Sequence, residues 1–249
     1  MHLAKYDIDA LRKRREEGSP PAILIVGRRG TGKSFLTRDI LSKMRDVASG
    51  MVVSGTEEGN DFYHAFVPPL FIHSDVDLSM LENLVTLQRE REKVSDKHHL
   101  IIVLDDCLYD PKFLKSSCLK GIFMNGRHWK IMIVICAQYL MDVPMYLRTQ
   151  LDYVFLLREN NPQSVQRLYN NFGYFASNAQ EFTDVLMIAT EDHGCLVVDN
   201  VQNCIGYYKA VHPGEFRLFH RSVWEYSRAH TKKKKSHQKH MKSGVVIKS

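Results

Sequence analysis

Apolar residues along this chain gather in short closed runs separated by longer stretches with helical spacing. Pro21–Val26, Met51–Ser54, Leu100–Leu104, Ile131–Ala137 and Asp152–Leu157 are nearly uninterrupted apolar runs. Continuous runs of this length suit strands covered on both faces, as in a parallel sheet. Between them lie helical patterns. One follows the first run, from Ser34 through Leu41 to about Val47. A second runs from Asp77 to Val94, with Leu78, Leu81, Leu84, Val85 and Leu87 as its apolar stripe and Gln88–Lys93 as a solvated end. A third spans Asp110–Phe123, with Asp110 as N-cap and Pro111 in the first turn. A short one follows over Val143–Gln150. Val67–Ile72 reads as an extended link stiffened by Pro68 and Pro69. Strand and helix thus alternate five times, which predicts an α/β fold: a mostly parallel central sheet with helices on both faces and right-handed crossovers. Asn161–Phe172 and Asn178–Ala189 read as two further helices, Cys195–Asp199 and Ile205–Lys209 as a C-terminal β-hairpin, and Ser222–His230 as helical.

The turn after the first strand carries chemistry. Gly27-Arg28-Arg29-Gly30-Thr31-Gly32-Lys33-Ser34 matches G-x-x-x-x-G-K-[ST], the phosphate-binding P-loop, and it lies between a strand and a helix as that site requires. Its glycines allow backbone N–H groups to turn inward onto phosphate oxygens, and the helix N-terminus adds partial positive charge. Lys33 is expected to reach the β- and γ-phosphates of ATP, and the Ser34 hydroxyl to ligate Mg²⁺.

Leu100–Leu104 ends in Asp105 and Asp106. At the tip of a buried strand downstream of a P-loop, Asp105 is expected to hold Mg²⁺ and Asp106 to orient and deprotonate the attacking water. The plainer reading is that both acids cap the next helix. The Ile131–Ala137 strand ends at Gln138, whose amide could bond the γ-phosphate or the water, or could be a satisfied strand-end amide.

Composition changes this picture only at the ends. The net charge is +6, but from Arg228 onward there are eight Lys or Arg and no acid. The remainder holds 26 basic residues against all 28 acidic ones. The Thr231–His240 run therefore reads as a disordered basic tail, for phosphate-backbone contact, nuclear targeting or solubility. Residues 1–20 read as a polar, solvated lead-in, with a turn or two of helix at Leu11–Glu17 stopped by Gly18-Ser19-Pro20. The expected organisation is an extension over 1–20, a P-loop ATPase domain over 21–228 and a tail over 229–249. No apolar run approaches the ~18 residues of a membrane span, and Met1–Tyr6 lacks the apolar stretch of a signal peptide. Five cysteines without C-x-x-C spacing read as reduced thiols, Cys107 and Cys136 beside buried strands. Cys195 and Cys204 could face each other across the hairpin.

Further stretches join these motifs: Ser54-Gly55-Thr56-Glu57 with Phe62-Tyr63, Phe66-Val67-Pro68 with Phe71-Ile72, Asn125-Gly126-Arg127-His128, and Gln138-Tyr139 with Leu147-Arg148. In this order, over roughly residues 20–210, the chain resembles the genome-packaging ATPases of large nucleocytoplasmic DNA viruses, the poxvirus- and iridovirus-type members of the FtsK–HerA group. The resemblance implies a homo-oligomeric ring that hydrolyses ATP to drive double-stranded DNA, gripped non-specifically, through a portal or vertex into a preformed capsid. It implies work in the host cytoplasm at the viral factory, in the nucleus, or on the virion. It matches Gly27, Gly32, Lys33 and Ser34 to the P-loop, Asp105 to the metal acid, Asp106 to a position where many relatives have Glu, and Gln138 to the strand-end sensor. Arg127 and Arg148 are its candidates for an arginine finger offered to a neighbouring subunit, with Arg127 favoured because it lies in an exposed turn before the sensor strand. Against a single ion pair as its role, such a finger is worth ~10³–10⁵ in rate in GTPases. The tail, or the loop over Asn60–His64, is a candidate DNA contact. The alternatives are an NTP-dependent nucleic-acid-binding switch or scaffold, and a P-loop phosphotransferase, for which no arginine-rich lid is recognisable.

Overall fold

The computed structural model describes residues 3–56, 61–95 and 97–231; the loop over 57–60 and the basic run from 232 lie outside the described residues. Eight strands form one sheet in the order β3-β2-β4-β5-β1-β6-β7-β8. They are β1 (Ala22–Val26), β2 (Ser49–Ser54), β3 (Ile72–His73), β4 (Leu100–Asp105), β5 (Ile131–Ala137), β6 (Tyr153–Leu156), β7 (Gly194–Asp199) and β8 (Cys204–Lys209). β3 through β6 pair in parallel, while β7 and β8 add the predicted hairpin antiparallel at the end. β5, which ends before Gln138, sits between β1, which leads into the P-loop, and β4, which ends at Asp105.

Each central strand divides its residues between two cores. Ala22, Leu24 and Val26 of β1, Leu100, Ile102 and Leu104 of β4, and Ile131, Ile133 and Ile135 of β5 face one layer. Ile23 and Ile25, Ile101 and Val103, and Met132 and Val134 face the other. The alternation of side chains along a strand sends both sets inward, because helices cover both faces. The first layer contains α3 (Leu78–Val94), α5 (Ser117–Asn125), α7 (Pro162–Phe172) and α8 (Ala179–Ala189); the second contains α2 (Lys33–Ser42) and α1 (Asp9–Glu16). The linked register Val26↔Ala137, Asp105↔Cys136 and Ser54↔Asp105 brings four strand ends to one edge, where the chemistry gathers.

Several expectations are corrected. The first residues are not a solvated lead-in. The Tyr6 N–H donates to Tyr207 O (2.8 Å) and the Tyr207 N–H to Ala4 O (2.9 Å), so this segment lines the outer edge of β8. Ile8 and Leu11 of α1 are buried, and Arg15 reaches Asp46 at 2.6 Å. On α3, Leu87 is 58 % exposed, whereas Gln88 is buried and donates to His98 O (2.6 Å) and Trp129 O (3.0 Å). The inward stripe is Leu81, Val85 and Gln88, at helical spacing. The helix expected over Asp110–Phe123 is two, α4 (Pro111–Lys115) and α5, because Ser116 takes an extended conformation and caps α5 through Leu119 N–H (3.2 Å). The proline link is not uniformly extended. It contains the 3-10 turn Pro69–Phe71 and then β3, which pairs with β2. The short helix after β5 is α6 (Met145–Arg148). The hairpin register sets Cys195 opposite Tyr208 and Cys204 opposite Asp199, and all five cysteines are free. The described residues 221–231 are helical and pack back through Trp224, whose indole N–H donates to Leu218 O (2.7 Å). Among the described residues, no helix is long and apolar enough to cross a membrane.

Candidate functional site

The P-loop leaves β1 at Gly27, whose N–H donates to Ala137 O (3.1 Å). A Cβ on Gly27 would stand 2.7 Å from Leu157 Cβ, so the close approach of loop and β6 needs glycine. Gly30 and Gly32 are required for a different reason. A Cβ would meet nothing there, but their φ angles are +82° and +103°. Thr31 folds back on Arg28 O through its hydroxyl at 2.7 Å. α2 then starts with Gly32 as N-cap and no side chain satisfying its first N–H groups. Those open donors and the helix dipole make an anion cradle. Lys33 is nearly buried, donates from Nζ to Gly27 O (2.8 Å), and stands 4.0 Å from Asp106 Oδ2. Ser34 is exposed on the first turn.

The two acids occupy different environments. Asp105 is buried, and burial pushes its carboxyl up to about 6. The Tyr63 hydroxyl, which donates to Asp105 Oδ2 (2.9 Å), pulls the other way; the Asp106 charge adds to the rise and Lys33 opposes it. Asp106 stands at φ +49°, the left-handed conformation that aspartate tolerates better than most residues. This turn directs its side chain to Gln138, whose Nε2 donates to Oδ2 (3.0 Å). Its Oδ1 is buried and has no hydrogen-bond partner among the described residues. An orphaned buried carboxylate oxygen is costly unless a water, ion or ligand completes it. Asp106 and Gln138 line a cleft of about 340 Å³ that Tyr109, Tyr139 and Asp142 extend.

Lys33, Asp105, Asp106 and Gln138 are therefore brought together at the P-loop, while Arg127 and Arg148 are not. Arg127 precedes β5 and lies at the opposite edge of the sheet, about 20 Å away by strand rise. There it pairs with buried Asp152, which also takes Arg14 at 3.2 Å and the Ala22 N–H at 2.9 Å. Arg148 donates to Val143 O (2.7 Å) and Asn171 Oδ1 (2.9 Å), and burial holds its guanidinium below its usual value. Two site residues escaped the sequence reading. Tyr63 belongs to a quoted motif, but its bond to Asp105 spans 42 positions. Glu159 is buried past β6, accepts from Asn161 N–H (2.8 Å) and faces Arg28 of the P-loop at 3.9 Å.

The poxvirus A32 protein family matches residues 8–201. The chain belongs to this family. Relatives of the A32-type chain occur in other large DNA viruses. Protein 075L of Invertebrate iridescent virus 6 is 36 % identical over 180 residues, covering 72 % of this chain and 70 % of that one. Protein L437 of Acanthamoeba polyphaga mimivirus is 32 % identical over 206 residues, covering 76 % and 72 %. Among solved structures, the genome packaging NTPase B204 of Sulfolobus turreted icosahedral virus 2, in complex with ATP-gammaS, superposes with a TM-score of 0.60 at 14 % identity, covering 77 % of this chain and 98 % of that one. That likeness shows the fold: this A32 family member has the α/β fold of the P-loop NTPases, with a mostly parallel sheet.

Proposed function

We propose that this chain is an ATP-hydrolysing motor that drives double-stranded viral DNA into a preformed capsid. The observation that carries the reading is the meeting of Lys33, Asp106 and Gln138 at the P-loop, with Asp106 Oδ1 buried and without a hydrogen-bond partner among the described residues. The P-loop amides hold the phosphates, and Lys33 exchanges Gly27 O for β- and γ-phosphate oxygens. Asp106 accepts the proton of the attacking water at Oδ1, while Gln138 keeps Oδ2 and the carboxylate plane in place. Asp is one methylene shorter than the Glu common at this position in the wider group, and the left-handed turn at Asp106 sets where that shorter arm points. The Ser34 hydroxyl and the Asp105 carboxylate are the donors suited to Mg²⁺, which would supply charge neutralisation on the phosphates.

DNA and a capsid partner belong to this reading, supported by A32 family membership and by the packaging role in the neighbour's name, and so do ring assembly and a portal. So does its setting in the infected cell, at the cytoplasmic factory or in the nucleus, or on the virion. Arg127 can serve a neighbouring subunit only by leaving Asp152, which Arg14 would continue to neutralise. DNA contact by the basic tail or by the loop over 60–64 is part of the same proposal.

The test is steady-state ATPase activity with and without long double-stranded DNA, for wild type and Lys33→Ala, across salt. Stimulation that is lost in Lys33→Ala and weakens with salt is expected, since non-specific DNA affinity falls steeply with ionic strength. Hydrolysis indifferent to DNA, with and without the portal partner, would overturn the motor. Nucleotide binding without hydrolysis would indicate an NTP-dependent switch. Mixing wild-type subunits with Arg127→Gln or Arg148→Gln subunits locates the finger, which must poison its neighbours' sites.

A further inference from the structure

A second cavity, of about 650 Å³, opens on the other side of the P-loop. Gly30 and Gly32 form one wall, Phe35 and Leu36 of α2 the next, and Leu157 and Cys195 the floor. Asp192, His193 and Lys209 stand at its rim. We propose that this cavity is the nucleoside site, where Phe35 stacks a purine base and Asp192 and His193 read its edge. The inference rests on the NTP reading above and assigns the part of the ligand that the P-loop motif does not reach.

The direction of the ligand follows from the sheet order. Asp105, Asp106 and Gln138 end β4 and β5, on one side of β1. A triphosphate with its γ-end at those residues must run its α-end to the opposite side, over β6, β7 and β8. The cavity lies there: Leu157 follows β6, Cys195 lies in β7 and Lys209 ends β8. Its volume falls within the ~300–1,000 Å³ usual for small-molecule sites.

The lining suits a base. Phe35 is 41 % exposed in the first turn of the P-loop helix, so part of its ring is available to a ligand in the cavity it lines. Its ring makes a tilted contact with His212, whose ring centroid lies 5.9 Å away. Leu36, Leu157 and Cys195 are buried and apolar beneath it. The rim is polar and strained. Asp192 and His193 take successive φ angles of +47° and +63°, a conformation that non-glycine residues hold at a cost and that concentrates at ligand sites. Asp192 and Lys209 pair at 3.9 Å with both side chains exposed, so the pair contributes little and its partners are free to exchange for base donors and acceptors.

The experiment compares binding of ATP, GTP and inorganic tripolyphosphate, each with Mg²⁺, by calorimetry. Tripolyphosphate reports the P-loop alone. Loss of one aromatic stacking face typically weakens a bound base about tenfold or more. Phe35→Ala is expected to weaken ATP about tenfold and leave tripolyphosphate within about twofold, with Phe35→Tyr restoring ATP. Asp192→Asn is expected to change the ATP-to-GTP ratio without moving tripolyphosphate. Equal weakening of ATP and tripolyphosphate in Phe35→Ala, or no weakening of ATP, would overturn the nucleoside site while leaving the P-loop reading intact. Failure of wild type to bind tripolyphosphate, or binding indifferent to Lys33→Ala, would instead overturn the nucleotide reading itself.

Discussion

Replacing Asp105 with Asn should make the protein more stable and less active, with a pH signature that separates this cause from others. Asp105 is buried beside β5, and its carboxyl lies at about 6 in the fold against 3.8 unperturbed. Burial makes the charged form unfavourable, and the Tyr63 hydroxyl and Lys33 only partly offset it. A displacement of about two pH units corresponds to about 3 kcal/mol at neutral pH. The Asn amide keeps an oxygen for the Tyr63 hydroxyl and removes the charge next to Asp106, but its NH₂ must also find an acceptor. The expected net gain is therefore about 1–3 kcal/mol, or roughly 3–10 °C in Tm for a domain of this size.

The sign is set by a folded value above the unfolded one. Both states are protonated below about 3.8 and burial costs nothing there. The cost grows through the window from 3.8 to 6 and is complete above it. Thermal melts of wild type and Asp105→Asn should therefore lie well apart at pH 7.5, and about half as far apart at pH 5. Mg²⁺ and ATP should then narrow the gap, because wild type gains ~2.7 kcal/mol at a hundredfold excess over Kd and the variant, short of a metal donor, gains less. Equal stability at pH 7.5, or a difference independent of pH, would refute the claim that Asp105 is held at a buried, charge-penalising position.

Tyr63→Phe keeps the ring among Phe62 and Phe66 (centroids 4.9 and 5.8 Å) and removes the hydroxyl that donates to Asp105. The Mg²⁺ concentration for half-maximal hydrolysis should rise several-fold, as expected for a lost bond to a charged group; an unchanged Mg²⁺ titration would remove Tyr63 from the site. Gln138→Ala frees Asp106 Oδ2 and should lower kcat about a hundredfold while nucleotide affinity stays within about twofold, in line with loss of an orienting group. Loss of binding instead would make Gln138 a ligand residue only. Asp152→Ala strands the Ala22 N–H and leaves Arg14 and Arg127 without their shared buried partner. Urea melts should show a loss of about 3 kcal/mol, and a loss below ~1 kcal/mol would contradict the buried role assigned to Asp152.

The amino-acid sequence by itself determined the elements whose cause is local. Uninterrupted apolar runs marked β1, β4, β5 and β6 as strands covered on both faces. Gly30 and Gly32 had to be glycine because the loop takes positive φ there. Asp110 with Pro111 announced a helix start, and the acids at the end of β4 announced a site. Each signal is carried by residues that lie within a few positions of one another, so spacing alone expresses it.

Tertiary structure decided the rest, because the deciding partner is far along the chain. Gln88 rather than Leu87 turns inward because two backbone carbonyls, His98 O and Trp129 O, wait beneath it. Residues 4–11 look polar, yet Ala4 and Tyr6 bond along the open edge of β8 and Ile8 and Leu11 join the buried core. Arg127 looks like a free cation in an exposed turn, but Asp152, 25 positions later, folds back beside it. Tyr63 became a partner of Asp105 only when β2 and β4 paired and carried the turn after β2 over Asp105. Local patterning determines what each segment can be; the sheet order determines which segments meet, and at this site the meeting sets the charge on Asp105 and leaves Asp106 Oδ1 buried without a partner among the described residues.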